Sequence, residues 1–154
     1  MPIELDAIDR QILAILQRNA RISNAELAEQ VNLSPTPCLR RLRKLERDGW
    51  IGHYTAVLDE KKLGFQIAAL VSVKLEKNTK KNGEIFEYAL LNLPQVTECW
   101  VVTGPHDYVL RVVSKNLEDY ERLLKEHIAA VDVVADIESV IILNQTIKCN
   151  ELPL

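Results

Sequence analysis

From residue 6 to residue 49 the apolar positions recur with a helical period. Leu5, Ile8, Ile12, Ile15 and Leu16 fall on one helix face, with polar residues between them. Asp6 is placed to cap this helix, with Asp9 three residues on. A second helix opens at ISNAEL. Ser23 as N-cap and Glu26 at the third helical position make a capping box, and Ile22 and Leu27 flank it as a hydrophobic staple. Leu27, Ala28 and Val31 then face inward, and VNLS is a short turn. The third helix is SPTPCLRRLRKLERDGW, residues 34 to 50. Proline lacks an N–H, so in a first helical turn it forfeits no hydrogen bond, and the two prolines mark a helix start. Either Ser34 caps with Pro35 following, or Thr36 caps with Pro37 following. The restriction on a residue preceding proline favours Thr36. Gly49 is the stop.

After WIGHYTAVLD the period changes. Residues 66–76 and 136–148 are strand-like, as are 96–103 and 107–114, which only GPH separates. Residues 83–93 and 117–131 are helical. The order β-α-β-β-α-β is the split βαβ arrangement of ferredoxin-like domains. The expected fold is therefore α+β: a three-helix (winged) helix-turn-helix domain over 1–58, a charged linker at 59–65, and a ferredoxin-like domain over 66–154. Alternation in the strands adds a constraint. Tyr108, Leu110 and Val112 oppose Val109 and Val113, Cys99 and Val101 oppose Trp100 and Val102, and Ile141 and Leu143 oppose Val140 and Ile142. Both sheet faces are apolar, yet two helices cover only one. A second copy of the sheet is expected on the other, giving an isologous homodimer.

Charge sharpens the reading of the third helix. The chain of 154 residues has a formal net charge of −3. Residues 1–50 nevertheless carry eight Lys/Arg against seven Asp/Glu, and five of the eight lie between 40 and 47. At about 100° per residue, Cys38, Leu39, Leu42 and Leu45 share one side of the helix. Thr36, Arg40, Arg43, Lys44 and Arg47 share the other, with Arg41 at the border. A one-sign stripe on the last helix of a compact triple is the pattern of a recognition helix that enters a major groove of double-stranded DNA. Arginines and lysine on phosphates supply sequence-blind affinity. Ser34, Thr36 and Arg40 at the N-terminal end are candidates to meet base edges, and either Arg40 or Arg43 can grip a guanine. The competing reading is an oligomeric metabolite-binding protein whose helical head contacts protein; a stripe of one sign would be wasted there.

Other chemistries have little support. The cysteines, Cys38, Cys99 and Cys149, are odd in number and form no CxxC pair, which argues against a disulfide framework or a zinc site. His53, His106 and His127 are far apart, and no HExxH, GxSxG or phosphate-loop pattern occurs. The one enzyme-like grouping is His106 and Asp107 beside Cys99. No catalytic residue, metal or cofactor is expected. No apolar run approaches the ~20 residues of a membrane span. The acidic N-terminus lacks the regions of a signal peptide, so a cytoplasmic protein is expected.

The motifs DRQIL, ARISNAELAE, LSPTPCLRRLRKLE and DGWIGHYTAVL, with VTGPHDYVLRVV and ESVIIL further on, resemble those of the Lrp/AsnC, or feast/famine, transcription regulators. The resemblance spans nearly the whole chain. It implies a DNA-binding head joined to a ligand-sensing domain, dimers that assemble to tetramers or octamers, and a small-molecule effector, commonly an amino acid, bound between dimers. The family's Gly-x-x-Asp-Tyr turn corresponds to Gly104, Asp107 and Tyr108 here. With Thr103 and His106 in the same turn, and Ser139 on the last strand, these are the implied effector residues. In that scheme the turn's N–H groups hold a carboxylate and Asp107 an ammonium. Pro105–His106 departs from the family pattern: Pro105 removes one N–H, and His106 adds a group that titrates near neutrality. The competing reading is that GPHD merely joins two strands.

Overall fold

The computed structural model describes residues 5–147 and 151–154. Cys149 and residue 148, the expected end of the last strand, lie outside the described residues; residues 142–147, expected to continue that strand, form none, and it spans Val134–Ile141. The chain forms two compact units, Met1–Val57 with Ile147–Leu154, and Leu58–Thr146. The C-terminal end, which sequence grouped with the second domain, thus belongs to the first unit.

The first unit holds α1 (Ala7–Arg18), α2 (Asn24–Gln30) and α3 (Pro35–Arg47). Asp6 caps α1, accepting the Asp9 N–H at 2.8 Å. Both halves of the Ser23–Glu26 capping box are formed on α2. Two left-handed residues end the helices that follow. Asn32 (φ 54°) turns the chain between α2 and α3, with the Leu33 N–H reaching back to the Ala28 carbonyl. Gly49 (φ 79°) does the same after α3, where the Trp50 N–H reaches the Leu45 carbonyl. The cap of α3 is Ser34, not the favoured Thr36. Its hydroxyl makes no cap bond, because the third helical position, whose N–H it would take, is Pro37. Ile12, Leu13, Leu27, Ala28, Val31, Cys38 and Leu45 form the core. Residues 52–59, which follow the helices, form no strand.

The second unit is a four-stranded antiparallel sheet in the order β2-β3-β1-β4, made of β1 (Ile67–Leu75), β2 (Val96–Val101), β3 (Tyr108–Ser114) and β4 (Val134–Ile141). Helices α4 (Lys80–Leu90) and α5 (Leu117–Arg122) complete the βαββαβ order, and α5 continues as a π-helical turn, Leu123–Ile128. Ala69, Val71, Val73, Tyr108, Leu110 and Val112 pack one sheet face against Phe86, Leu90, Leu123 and Ile128. The opposite face follows from the register. Trp100 lies beside Val109, and Leu70 lies between Arg111 and Val140. Trp100, Leu70 and Val140 are 42%, 38% and 59% exposed, which is the uncovered apolar face that strand alternation implies.

Helix α4 begins three residues before the expected start, capped by Thr79, whose hydroxyl accepts the Asn82 N–H. Gly83, which reads as a boundary in sequence, is an interior position. A Cβ there would meet the Tyr108 hydroxyl at 2.8 Å. That hydroxyl is itself tied to Glu87 at 2.8 Å, and its ring packs on Phe86 with centroids 4.9 Å apart. In an exposed helix interior Gly→Ala adds about 1 kcal/mol of stability. Here Gly83→Ala is expected to cost about 1–2 kcal/mol through overpacking. The cost should shrink or reverse in a Tyr108→Phe background, as urea unfolding of the four variants will show. An equal cost in both backgrounds would clear the hydroxyl as the obstacle.

Candidate nucleic-acid interface and effector turn

The cations of α3 divide into two groups. Arg40, Arg43 and Lys44 are exposed, and among the described residues none of them pairs with a carboxylate. Arg47 bonds the neighbouring Asp48 at 3.1 Å, yet its side chain stays 71% exposed. Arg41 is different, and its expected place on the DNA-facing stripe is corrected. Its guanidinium donates to Asp6 Oδ2 at 2.6 Å and Asp9 Oδ1 at 2.8 Å. It therefore binds α3 to the start of α1. The Asp9 N–H first and Arg41 second hold the Asp6 carboxyl below its usual range. The border position of Arg41 on the helical wheel was the available signal. The carboxylates that claim it lie 32 and 35 residues away in sequence.

At the N-terminal end of α3, Ser34 and Thr36 are both exposed. Pro37 leaves the Ser34 hydroxyl without its customary capping partner, so that group is available to an outside acceptor or donor. The Asn24 amide donates to the Pro35 carbonyl at 2.9 Å, pinning this end of α3 to α2. Nothing local in the sequence marks Asn24 for this role, because its partner lies 11 residues on. Glu46, the acidic residue within the helix, receives the Tyr54 hydroxyl at 2.9 Å. Burial first and this carboxylate bond second push the Tyr54 phenol up to about 12.

The turn between β2 and β3 separates its residues into two roles. Thr103 and Gly104 are exposed, and Gly104 adopts φ 120°, a conformation that suits glycine. Among the described residues, the N–H groups of Thr103, Gly104 and His106 donate to no backbone carbonyl. Asp107 is occupied by its own chain: Oδ2 accepts the Leu75 N–H at 2.8 Å, and Oδ1 accepts the Asn78 amide at 2.7 Å. Its backbone N–H goes to the Val73 carbonyl. Asp107 is thus an anchor of the turn. Tyr108, implied as an effector residue, is only 5% exposed and belongs to the core. Burial first, then Glu87, push its phenol up to about 12. Ser139, on β4, pairs with Val71 of β1 and follows Glu138, the residue that approaches His106 of the turn.

His106 Nε2 lies 3.7 Å from Glu138 Oε2. Glu138 shares a cross-strand row with Ser72, Val109 and Trp100 on the uncovered face, whereas Cys99 pairs with Leu110 on the helix-covered one. The enzyme-like grouping of Cys99 with His106 therefore does not assemble. Burial first and Glu87 second also push the Cys99 thiol up, away from the thiolate a nucleophile needs. Among the described residues no cluster of three His, Cys, Asp or Glu is placed to hold a metal. No helix among them is long and apolar enough to cross a membrane.

Known proteins carry the same arrangement. Residues 5–51 match the family model for winged helix-turn-helix DNA binding, and residues 68–152 match the Lrp/AsnC ligand-binding domain. The leucine-responsive regulatory proteins of Salmonella typhimurium and Escherichia coli are each 38% identical over 149 residues, covering 97% of this chain and 91% of theirs. A transcriptional regulator of Neisseria meningitidis, solved as a complex with L-Met, superposes with a TM-score of 0.93 at 32% identity, covering 97% of both chains. An AsnC-family regulator of Agrobacterium tumefaciens gives 0.89 at 34% identity, again covering 97% of both.

The two roles within α3 are separable by pH. Asp6 titrates in the folded state below the 3.8 of an ordinary aspartate, so its contribution is complete above that value and is lost as pH falls through the lowered one. Arg41→Gln should lower the melting temperature by a few degrees at neutral pH, and the gap to the unmodified protein should close on acidification. A gap independent of pH, followed by calorimetry, would separate Arg41 from Asp6. With a helix-turn-helix match and a ligand-domain match end to end along it, and relatives aligned over nearly their full length, this chain belongs to the Lrp/AsnC family of DNA-binding transcription regulators.

Proposed function

We propose that the protein binds double-stranded DNA through Ser34, Thr36, Arg40, Arg43, Lys44 and Arg47, and that a small metabolite at the turn around Thr103, Gly104 and His106 alters that binding. The observation that carries the first part is the division within α3. Arg40, Arg43 and Lys44 carry no carboxylate partner among the described residues, while Arg41 alone is spent on holding the helix in place. Three uncommitted cations on one helix are what a phosphate backbone requires, and the hydroxyls of Ser34 and Thr36 lie at the end from which base edges are read.

The second part rests on the backbone donors of the exposed turn, which suit a carboxylate, and on Glu138 near His106, which suits a cationic group. An amino acid offers both. The Neisseria relative, solved with L-Met, supports that class of effector. Asp107 acts as the anchor of the turn, and Ser139 follows Glu138 on the last strand. Trp100, Leu70 and Val140 on the uncovered sheet face support a homodimer built sheet to sheet, assembling further to a tetramer or octamer. The ligand then acts by its differential affinity for those assemblies. In this reading the protein is cytoplasmic and has no catalytic activity of its own.

The test uses duplexes selected from a random library by the intact protein. Arg40→Gln and Arg43→Gln should each weaken binding and reduce the slope of log affinity against log salt by about 1 for each phosphate no longer neutralised. Arg41→Gln should leave that slope unchanged. Fluorescence anisotropy at several salt concentrations checks both. Slopes unaltered by Arg40→Gln and Arg43→Gln would remove α3 from the interface.

A further inference from the structure

The ligand-binding unit has a cavity at the opposite end of β3 from the Gly104 turn. Strand β3 runs from Tyr108 beside that turn to Ser114, so the two places stand about 20 Å apart along the strand. The cavity measures about 290 Å³, near the lower bound of small-ligand sites. Lys115 and Arg122 are the cations of its wall, and His127 lines it beside them. One carboxylate, Asp119, also lines it and is paired with Arg122. Lys115 makes no ion pair among the described residues, so Lys115 and Arg122 together outnumber the one carboxylate and the wall keeps a positive charge in excess. Phe65 and Leu123 form an apolar side.

Two polar groups of the wall are unsatisfied. Ser114 is 1% exposed, and its hydroxyl has no hydrogen-bond partner. The side-chain oxygen of Gln95 is likewise buried without a partner. A buried polar group left unpaired is costly, so two of them against one cation-lined cavity require explanation. His127 and Leu123 both lie in the π-helical turn that continues α5. Such turns are frequent at functional sites.

We infer that this cavity is a second ligand site, for a small anionic metabolite bearing a carboxylate or phosphate. Lys115 and Arg122 meet its charge, Phe65 and Leu123 cover any apolar part, and rotation of the unpartnered Ser114 and Gln95 side chains from their buried positions brings their polar groups to its oxygens. The position gives the ligand a lever. Phe65 ends the connector 59–65, and Gln66 beyond it donates its N–H to the Ser114 carbonyl at 3.0 Å. At the start of the connector, Glu60 takes two bonds from Arg111 of β3, at 2.7 and 2.9 Å. An occupant against Phe65 therefore touches the root of the segment that leads to the helical head.

The experiment titrates the full-length, isotope-labelled protein with inorganic phosphate in one arm and butyrate in the other, ionic strength being held constant with chloride. The readout is the amide shift of Gln95, Ser114, Lys115 and His127. One arm should saturate at these residues and leave Thr103, Gly104 and His106 unmoved, and the saturating arm names the anion class. Lys115→Gln combined with Arg122→Gln should weaken that binding by about tenfold or more, the worth of one charge-assisted hydrogen bond. Ser114→Ala, which keeps the charges, should weaken it less. The inference is overturned if neither arm saturates within tens of millimolar, or if the shifts persist in the double variant. Shifts confined to residues 103–106 would overturn it too. None of these outcomes depends on DNA binding, so a failure here is distinct from a failure of the regulator reading.

Discussion

Asp6 and Asp9 stand three residues apart at the start of α1, and both reach one guanidinium, that of Arg41. The remainder of the head depends on this knot. Asp6 is already the cap of α1, so the same carboxylate that begins the first helix also places the third. A charge pair between two exposed side chains is worth little, but Asp9 is nearly buried and the guanidinium is shared, so the geometry is held from two sides. With α3 held at its middle by Arg41 and at its start by Asn24, Arg40, Arg43 and Lys44 need no intramolecular role. Their exposure is a consequence of that division of labour.

The same economy shapes the sensing unit. The strand-joining turn leaves its Thr103, Gly104 and His106 N–H groups without backbone carbonyl partners among the described residues, so it has few bonds of its own. Asp107 supplies the missing hold by reaching across to β1 and to the loop after it. Tyr108, the next residue, reaches the other way, through the core to Glu87 on α4, and the absence of a side chain at Gly83 makes room for its hydroxyl. Two adjacent residues thus tie the turn to both the sheet and the helix layer.

Much of this was legible in the chain. The Ser23–Glu26 box, the prolines at the entry to α3 and the left-handed Gly49 are local devices, in which partners a few residues apart satisfy one another. The βαββαβ order was legible because period and length differ between strand and helix. The start of α4 was misread because Gly83 is a local stop signal overruled by a distant tyrosine. Likewise Tyr108 has the same alternation whether its hydroxyl serves a ligand or a glutamate on α4. The effector role of Asp107 was argued by likeness of a short motif, and the motif does not say which of its residues face outward.

What the sequence determined by itself was the set of elements, their caps, the stripe of cations and the existence of two apolar sheet faces. Each of these follows from interactions within one or two helical turns or from the two-residue repeat of a strand. Only the tertiary structure decided which arginine is withheld from the stripe, which acid anchors the turn, and which buried hydroxyl is left without a partner. Those outcomes depend on groups tens of residues apart that compete for the same hydrogen bonds, and the competition is settled by packing.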